Sequence, residues 1–173
     1  TEAVFAVLGP EAAAQRTEPN ALTLDLCAYC LDGEPLSGQM EVWMAQREIR
    51  RKLGMPAIYY NGAPQRYTWL TGSRTGRPFT MEFRFTVLDV PEGECYLAVE
   101  KPESLSLSCN GQPCVLTDRW YSDQATKCFA LPELKAGENR LTLSGMYTEE
   151  LELENVFLIG DFGVNAQREI VKE

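Results

Sequence analysis

The sequence predicts a mainly β protein, an antiparallel β-sandwich over residues 78–173 preceded by an extension, residues 1–77, that contains one α-helix. Three observations carry this expectation. Phe79, Met81, Phe83, Phe85 and Val87 alternate with Thr80, Glu82, Arg84 and Thr86, a period of two that puts the apolar set on one face of a strand. Short apolar runs then recur about every ten residues with turn chemistry between them, the spacing of a sandwich or jelly roll. Upstream, Val42, Ala45, Ile49 and Leu53 are spaced by three and four, the stripe of a helix.

The elements follow in order. Residues 2–20 contain Pro10, three consecutive alanines from Ala12 and Pro19, and read as a connector with one helical turn. Leu22, Leu24 and Leu26 alternate with Thr23 and Asp25 as a half-buried strand does, and Asp32-Gly33 turns the chain. The helix runs from Glu41 to Leu53, with Arg47, Arg50, Arg51 and Lys52 towards its C-terminal end, where cations suit the dipole, and Gly54 and Pro56 to stop it. Residues 55–77 hold many Pro and Gly together with Tyr59, Tyr60, Tyr67 and Trp69, an aromatic loop that either packs on something or carries a site. After the strand ending at Val87, Pro91-Glu92-Gly93 breaks the chain. Further strands are expected at 95–99, 105–109, 113–115, 127–131, 139–144 and 153–159, with Asn110-Gly111 as a hairpin turn.

Composition bounds the function. A chain of 173 residues, 45% hydrophobic and 10% aromatic, can bury a core without staples. Sixteen basic against 25 acidic residues give a net charge of −9, which argues against nucleic acid and anionic membrane surfaces as partners. No apolar run approaches the roughly 20 residues of a membrane-spanning helix. Histidine is absent, so Ser-His-Asp and Cys-His catalysis and His-ligated zinc are excluded for this chain alone, and catalysis would fall to carboxylates, Lys, Tyr or Cys. The chain starts at Thr1 without an initiator Met, and the stretch to Pro10 lacks a signal-peptide pattern; it reads as a piece of a larger protein. The cysteines at 27, 30, 95, 109, 114 and 128 are too sparse for a disulfide scaffold and read as free, buried thiols, which leans towards a reducing, cytoplasmic compartment.

Four motifs bear on chemistry. Cys27 and Cys30 have a metal or redox spacing, but residues three apart in a strand point to opposite faces, and the turn-flanking Cys109 and Cys114 do not supply a zinc knuckle. Asp161-Phe162-Gly163 matches a kinase triplet without the other parts of that machinery. Glu149, Glu150, Glu152 and Glu154 offer paired carboxylates, but Glu152 and Glu154 alternate with Leu151 and Leu153 like the solvated face of a strand. Trp120-Tyr121-Ser122-Asp123 combines aromatic faces, on which sugar C–H surfaces stack, with a carboxylate for their hydroxyls. The competing reading is an aromatic that plugs the sandwich edge while Asp123 caps a turn.

The C-terminal half resembles the galactose-binding-like, sugar-binding jelly-roll domains of glycoside hydrolases, including those of family 2. The resemblance rests on Leu105-Ser-Leu-Ser-Cys-Asn-Gly-Gln-Pro, on Leu134-Lys-Ala-Gly-Glu-Asn-Arg-Leu-Thr-Leu, and on the aromatic segment from Trp120 to Asp123 between them. The ending Val156-Phe-Leu-Ile-Gly-Asp-Phe-Gly-Val is similar to that of glycosidase-like proteins of gut-type bacteria, in which Leu22-Thr-Leu-Asp-Leu-Cys and the helix with Gln46 and Arg47 also have look-alikes. It implies a non-catalytic accessory module that packs against the catalytic domain of a larger enzyme. Some relatives bind carbohydrate or a structural calcium, for which no ligand pattern maps onto this chain residue by residue. Trp120, Tyr121 and Asp123 are then the first sugar-contact candidates, with Tyr59, Tyr60 and Trp69 next. Two other readings stay open: a small glycosidase working with acids such as Asp123, Glu150 or Glu152, and an interaction scaffold that uses an apolar patch at 55–77.

Overall fold

The protein is mainly β, with two antiparallel sheets and one α-helix, in a computed structural model that describes residues 9, 16–55 and 76–172. Strand β1 (Asn20–Leu24) passes directly into β2 (Leu26–Leu31), followed by β3 (Met40–Glu41) and helix α1 (Val42–Lys52). Then come β4 (Arg77–Val87), β5 (Tyr96–Glu100), a 3₁₀ turn at Pro102–Ser104, β6 (Leu105–Cys109), β7 (Gln112–Pro113), β8 (Val115–Tyr121) and β9 (Asp123–Ala130). The chain ends with β10 (Gly137–Tyr147), β11 (Val156–Gly160), β12 (Gly163–Val164) and β13 (Ile170–Val171). One sheet has five strands in the order β1-β11-β5-β9-β8. The other has eight, with β12-β13-β4-β10-β6-β7 in line and β2 and β3 on the free half of the β4 edge. Pairing is antiparallel except where Ile170 meets Val87 in parallel.

The alternation in β4 has the expected outcome: Phe79, Met81, Phe83, Phe85 and Val87 are all buried in the core between the sheets. They meet Leu97, Val99, Phe129 and Leu158 from the five-stranded sheet and Leu141 and Leu143 from β10. β4 and β10 pair without interruption from Arg77↔Tyr147 to Val87↔Gly137, the longest ladder in the molecule. On the outer face of β4, Arg84 and Arg140 share Glu82 at 2.8 and 3.3 Å. The hairpin at Asn110-Gly111 forms as expected, with φ of 51° and 81°, the left-handed pair that a two-residue turn requires.

The two motifs of the resemblance meet in space. Asn139 is fully buried and its four hydrogen bonds close the turn before β10: Oδ1 accepts from Asn110 Nδ2 at 2.8 Å and Lys135 N at 3.1 Å, while Nδ2 donates to the carbonyls of Lys135 at 2.7 Å and Gly137 at 3.1 Å. Asn110 in turn accepts from Arg140 N at 3.0 Å. Both asparagines therefore organise backbone, as a buried amide must if it is not to strand its polar atoms.

The structure revises several sequence expectations. Leu22 and Leu24 are buried, but Leu26 is 45% exposed, because the chain leaves the five-stranded sheet at Asp25 and enters the other as β2. The extension preceding residue 78 thus supplies a strand to each sheet, β1 against β11 and β2 against β4, where one strand was expected. Helix α1 buries Val42, Ala45 and Ile49 as expected, and Gly54 closes it with φ 67° and its N–H on the Arg51 carbonyl. Two polar residues of α1 are also buried: Gln46, whose Oε1 accepts from Leu153 N, and Arg50, which donates to the Glu149 carbonyl at 3.3 Å. They tie the helix to residues 149–153, which lie outside any strand, so the strand expected from Leu153 begins only at Val156. The strand expected at 113–115 splits into β7 and β8 around Cys114.

Candidate functional site

The site is built on the outer face of the five-stranded sheet. Strand alternation sends Leu97 and Val99 of β5, Phe129 of β9, and Leu158 of β11 inward. It sends Tyr96, Ala98, Cys128, Phe157 and Ile159 to the other face, where Ala98, Cys128 and Ile159 form a second, smaller apolar cluster. Such a cluster on the side away from the core needs cover, and Tyr96, Tyr121 and Phe157 pack against it. The rings of Tyr121 and Phe157 lie 5.6 Å apart, tilted at 44°.

The edge of this sheet is irregular. β8 and β9 pair in register at Val115↔Ala130 and Leu116↔Phe129, but the register shifts before Trp120 and again before Tyr121. Thr117 fills part of the gap: its hydroxyl donates to the Cys128 carbonyl at 2.8 Å and accepts from Arg119 N at 3.2 Å. Bulges re-aim side chains, and here they set consecutive residues Arg119, Trp120 and Tyr121 around one cavity. Ser122 turns the chain with φ 66°.

That cavity, about 400 Å³, is also lined by Glu94, Tyr96, Cys128 and Asp161, and it lies in the size range of small-molecule sites. The Arg119 guanidinium lies over the Tyr96 ring, 4.6 Å from its centroid. The Tyr96 hydroxyl donates to Glu94 Oε2, and that hydrogen bond to a carboxylate, followed by desolvation, raises the phenol above its ordinary range. Trp120 is 54% exposed, its ring available to a ligand. Aromatic faces, two carboxylates and a guanidinium around one cavity suit a ligand with both apolar and hydroxyl surfaces.

The sequence candidates divide accordingly. Trp120 and Tyr121 line the cavity. Asp123 does not: its Oδ1 accepts from Ala125 N at 2.7 Å and Thr126 N at 3.2 Å, so it holds the turn of its own hairpin. Tyr59, Tyr60 and Trp69, and the apolar patch expected at 55–77, lie outside the described residues apart from the ends of that segment. Glu150, Glu152 and Glu154 line a different cavity of about 290 Å³ with Glu100 and Lys101, and Asp123 is not part of that lining. Sequence reasoning missed Glu94, Tyr96, Arg119 and Asp161, which come from separate segments. The only local signal was their place on the polar side of a strand or beside a turn.

The cysteines are free thiols. Burial pushes Cys27 and Cys114 up to about 12 and Cys95 and Cys109 up to about 11, so all four stay protonated at neutral pH. Cys27 is buried while Cys30 is partly exposed, as opposite strand faces dictate. Among the described residues no three His, Cys, Asp or Glu side chains are grouped to hold a metal ion. Among them, too, no helix is long and apolar enough to cross a membrane. Comparison with protein families, with curated proteins and with solved structures finds no match for this chain.

Proposed function

We propose that this chain is a non-catalytic, carbohydrate-binding accessory domain of the galactose-binding-like jelly-roll type, part of a larger glycoside hydrolase. The supporting observation is the cavity on the outer face of the five-stranded sheet, where Tyr96, Trp120 and Tyr121 offer rings and Glu94, Arg119 and Asp161 offer hydrogen-bonding groups. A ring that stacks on one sugar face while charged groups take its hydroxyls discriminates a carbohydrate from a purely apolar ligand. The groove is open and largely exposed, which fits weak, reversible binding rather than enclosure of a reacting centre. Packing against a catalytic domain is supported by Leu26 at the start of β2, Leu36 in the loop after it, and Trp43 and Met44 in the first turn of α1, apolar residues more than 40% exposed.

The test is calorimetric or NMR titration with a panel of mono- and oligosaccharides. Saturable binding that Trp120→Ala removes supports the reading. Absence of any saturable shift at millimolar sugar removes carbohydrate from it and leaves the packing role.

A further inference from the structure

The cavity on the outer face of the five-stranded sheet contains one cation, and its setting separates it from an ordinary surface arginine. Arg119 projects from the bulged stretch of β8, and its guanidinium carbon lies over the Tyr96 ring, 4.6 Å from the centroid. Among the described residues no carboxylate lies within ion-pairing distance of Arg119, nor of Arg47 and Arg51 in α1, whereas Arg77, Arg84, Arg140 and Arg168 all have one; what distinguishes Arg119 is its place on Tyr96 in the cavity. Glu94, one of the two acids in the cavity lining, accepts from the Tyr96 hydroxyl.

A guanidinium packed on a ring and without a carboxylate partner among the described residues offers a planar N–H fork, which matches a planar, bidentate anion better than a single hydroxyl does. Resting on the carbohydrate reading, we propose that Arg119 is a specificity-determining residue and that the cavity takes an acidic saccharide, with a uronic acid carboxylate paired to Arg119. Trp120 then stacks on the sugar ring, and Asp161, which also lines the cavity, accepts from its hydroxyls. The two acids of the cavity also work as discrimination. They repel an anion that is not seated on Arg119, so a ligand must present its carboxylate at that one place.

The experiment is a calorimetric and NMR titration of the full chain with three matched ligands: uronic acid oligosaccharides (glucuronic and galacturonic), their methyl esters, and the neutral hexose counterparts. Binding of the free acid at least about tenfold tighter than its methyl ester is expected, since loss of a charge-assisted bidentate pair is worth that much. Arg119→Gln removes that preference, and Arg119→Lys, which keeps the charge but not the fork, retains only part of it. Arg119 is exposed, and an unchanged melting temperature verifies that both variants fold. Tighter binding of the neutral sugar or the ester, or a preference for the acid that survives Arg119→Gln, overturns the assignment while leaving carbohydrate binding in place. No binding of any of the three overturns both.

Discussion

The two sheets of this protein treat their edges and faces differently. In the eight-stranded sheet, β4 and β10 run side by side for eleven residue pairs without a register shift, and one face is wholly sealed against the core. In the five-stranded sheet, the β8–β9 hairpin slips register twice, and β8 leaves Val115, Leu116 and Trp120 more than half exposed. Regular pairing delivers every second side chain into the core and leaves nothing free for recognition. Irregular pairing at an edge gives up burial and frees consecutive side chains to surround a cavity. Under the proposed function, stability and recognition reside in different sheets, and substitutions should separate them.

The largest effect is expected at the centre of β4. Phe83 is fully buried between the sheets, and Phe83→Ala should cost about 3–5 kcal/mol in chemical denaturation. Next comes the turn that joins the two asparagines. Asn139→Ala removes the hydrogen bonds to the Lys135 amide and carbonyl and the Gly137 carbonyl, and a loss of roughly 1–3 kcal/mol is expected, at a net of about 0.5–1.5 kcal/mol for each hydrogen bond. Asp123→Ala should cost about 1 kcal/mol by loosening its hairpin, with sugar affinity changed by less than about threefold. Such a result would separate it from its neighbours Trp120 and Tyr121 by function as well as by position. Trp120→Ala should move stability by no more than about 0.5 kcal/mol while removing sugar binding, because the ring is more than half exposed.

How much of this was legible in the sequence depended on burial. The β4 strand announces itself because one face is sealed and the other is wet, so chemistry alternates with geometry. β8 reads Val-Leu-Thr-Asp-Arg-Trp-Tyr and shows no alternation, because as an edge strand neither of its faces is sealed. The crossing at Asp25 was hidden for the opposite reason: Leu22, Leu24 and Leu26 keep the period of two although the sheet changes between them. Arg50 looked like a cation placed for the helix dipole, but the helix packs on residues 149–153 and the guanidinium is turned inside. In the cavity, Trp120 and Tyr121 were visible as a local aromatic pair. Glu94, Tyr96 and Asp161 were not, since only the strand order β11-β5-β9-β8 brings their segments together, and Arg119, though next to Trp120, gained its place only through the bulge and the Tyr96 ring.

The thiols give the same contrast a pH dependence. Cys27 titrates near 9 in an unfolded chain and is pushed up to about 12 by burial, so the fold carries a proton there that the unfolded chain gives up. The sign is fixed by that order: stability is fully present below about pH 9 and declines as pH rises from there towards 12. Denaturation midpoints measured across that range should fall, and alkylation of Cys27 should be slow in the folded protein at pH 8 and rapid after unfolding. A flat profile would contradict the burial of these thiols.

The separation of recognition from stability is tested most directly by amide chemical shifts during titration of the intact chain with saccharides. The account predicts saturable shifts confined to the outer face of the five-stranded sheet, at Glu94, Tyr96, Arg119, Trp120, Tyr121, Cys128 and Asp161, with β4 and β10 silent. Shifts centred on any other surface, or none at millimolar ligand, would contradict it.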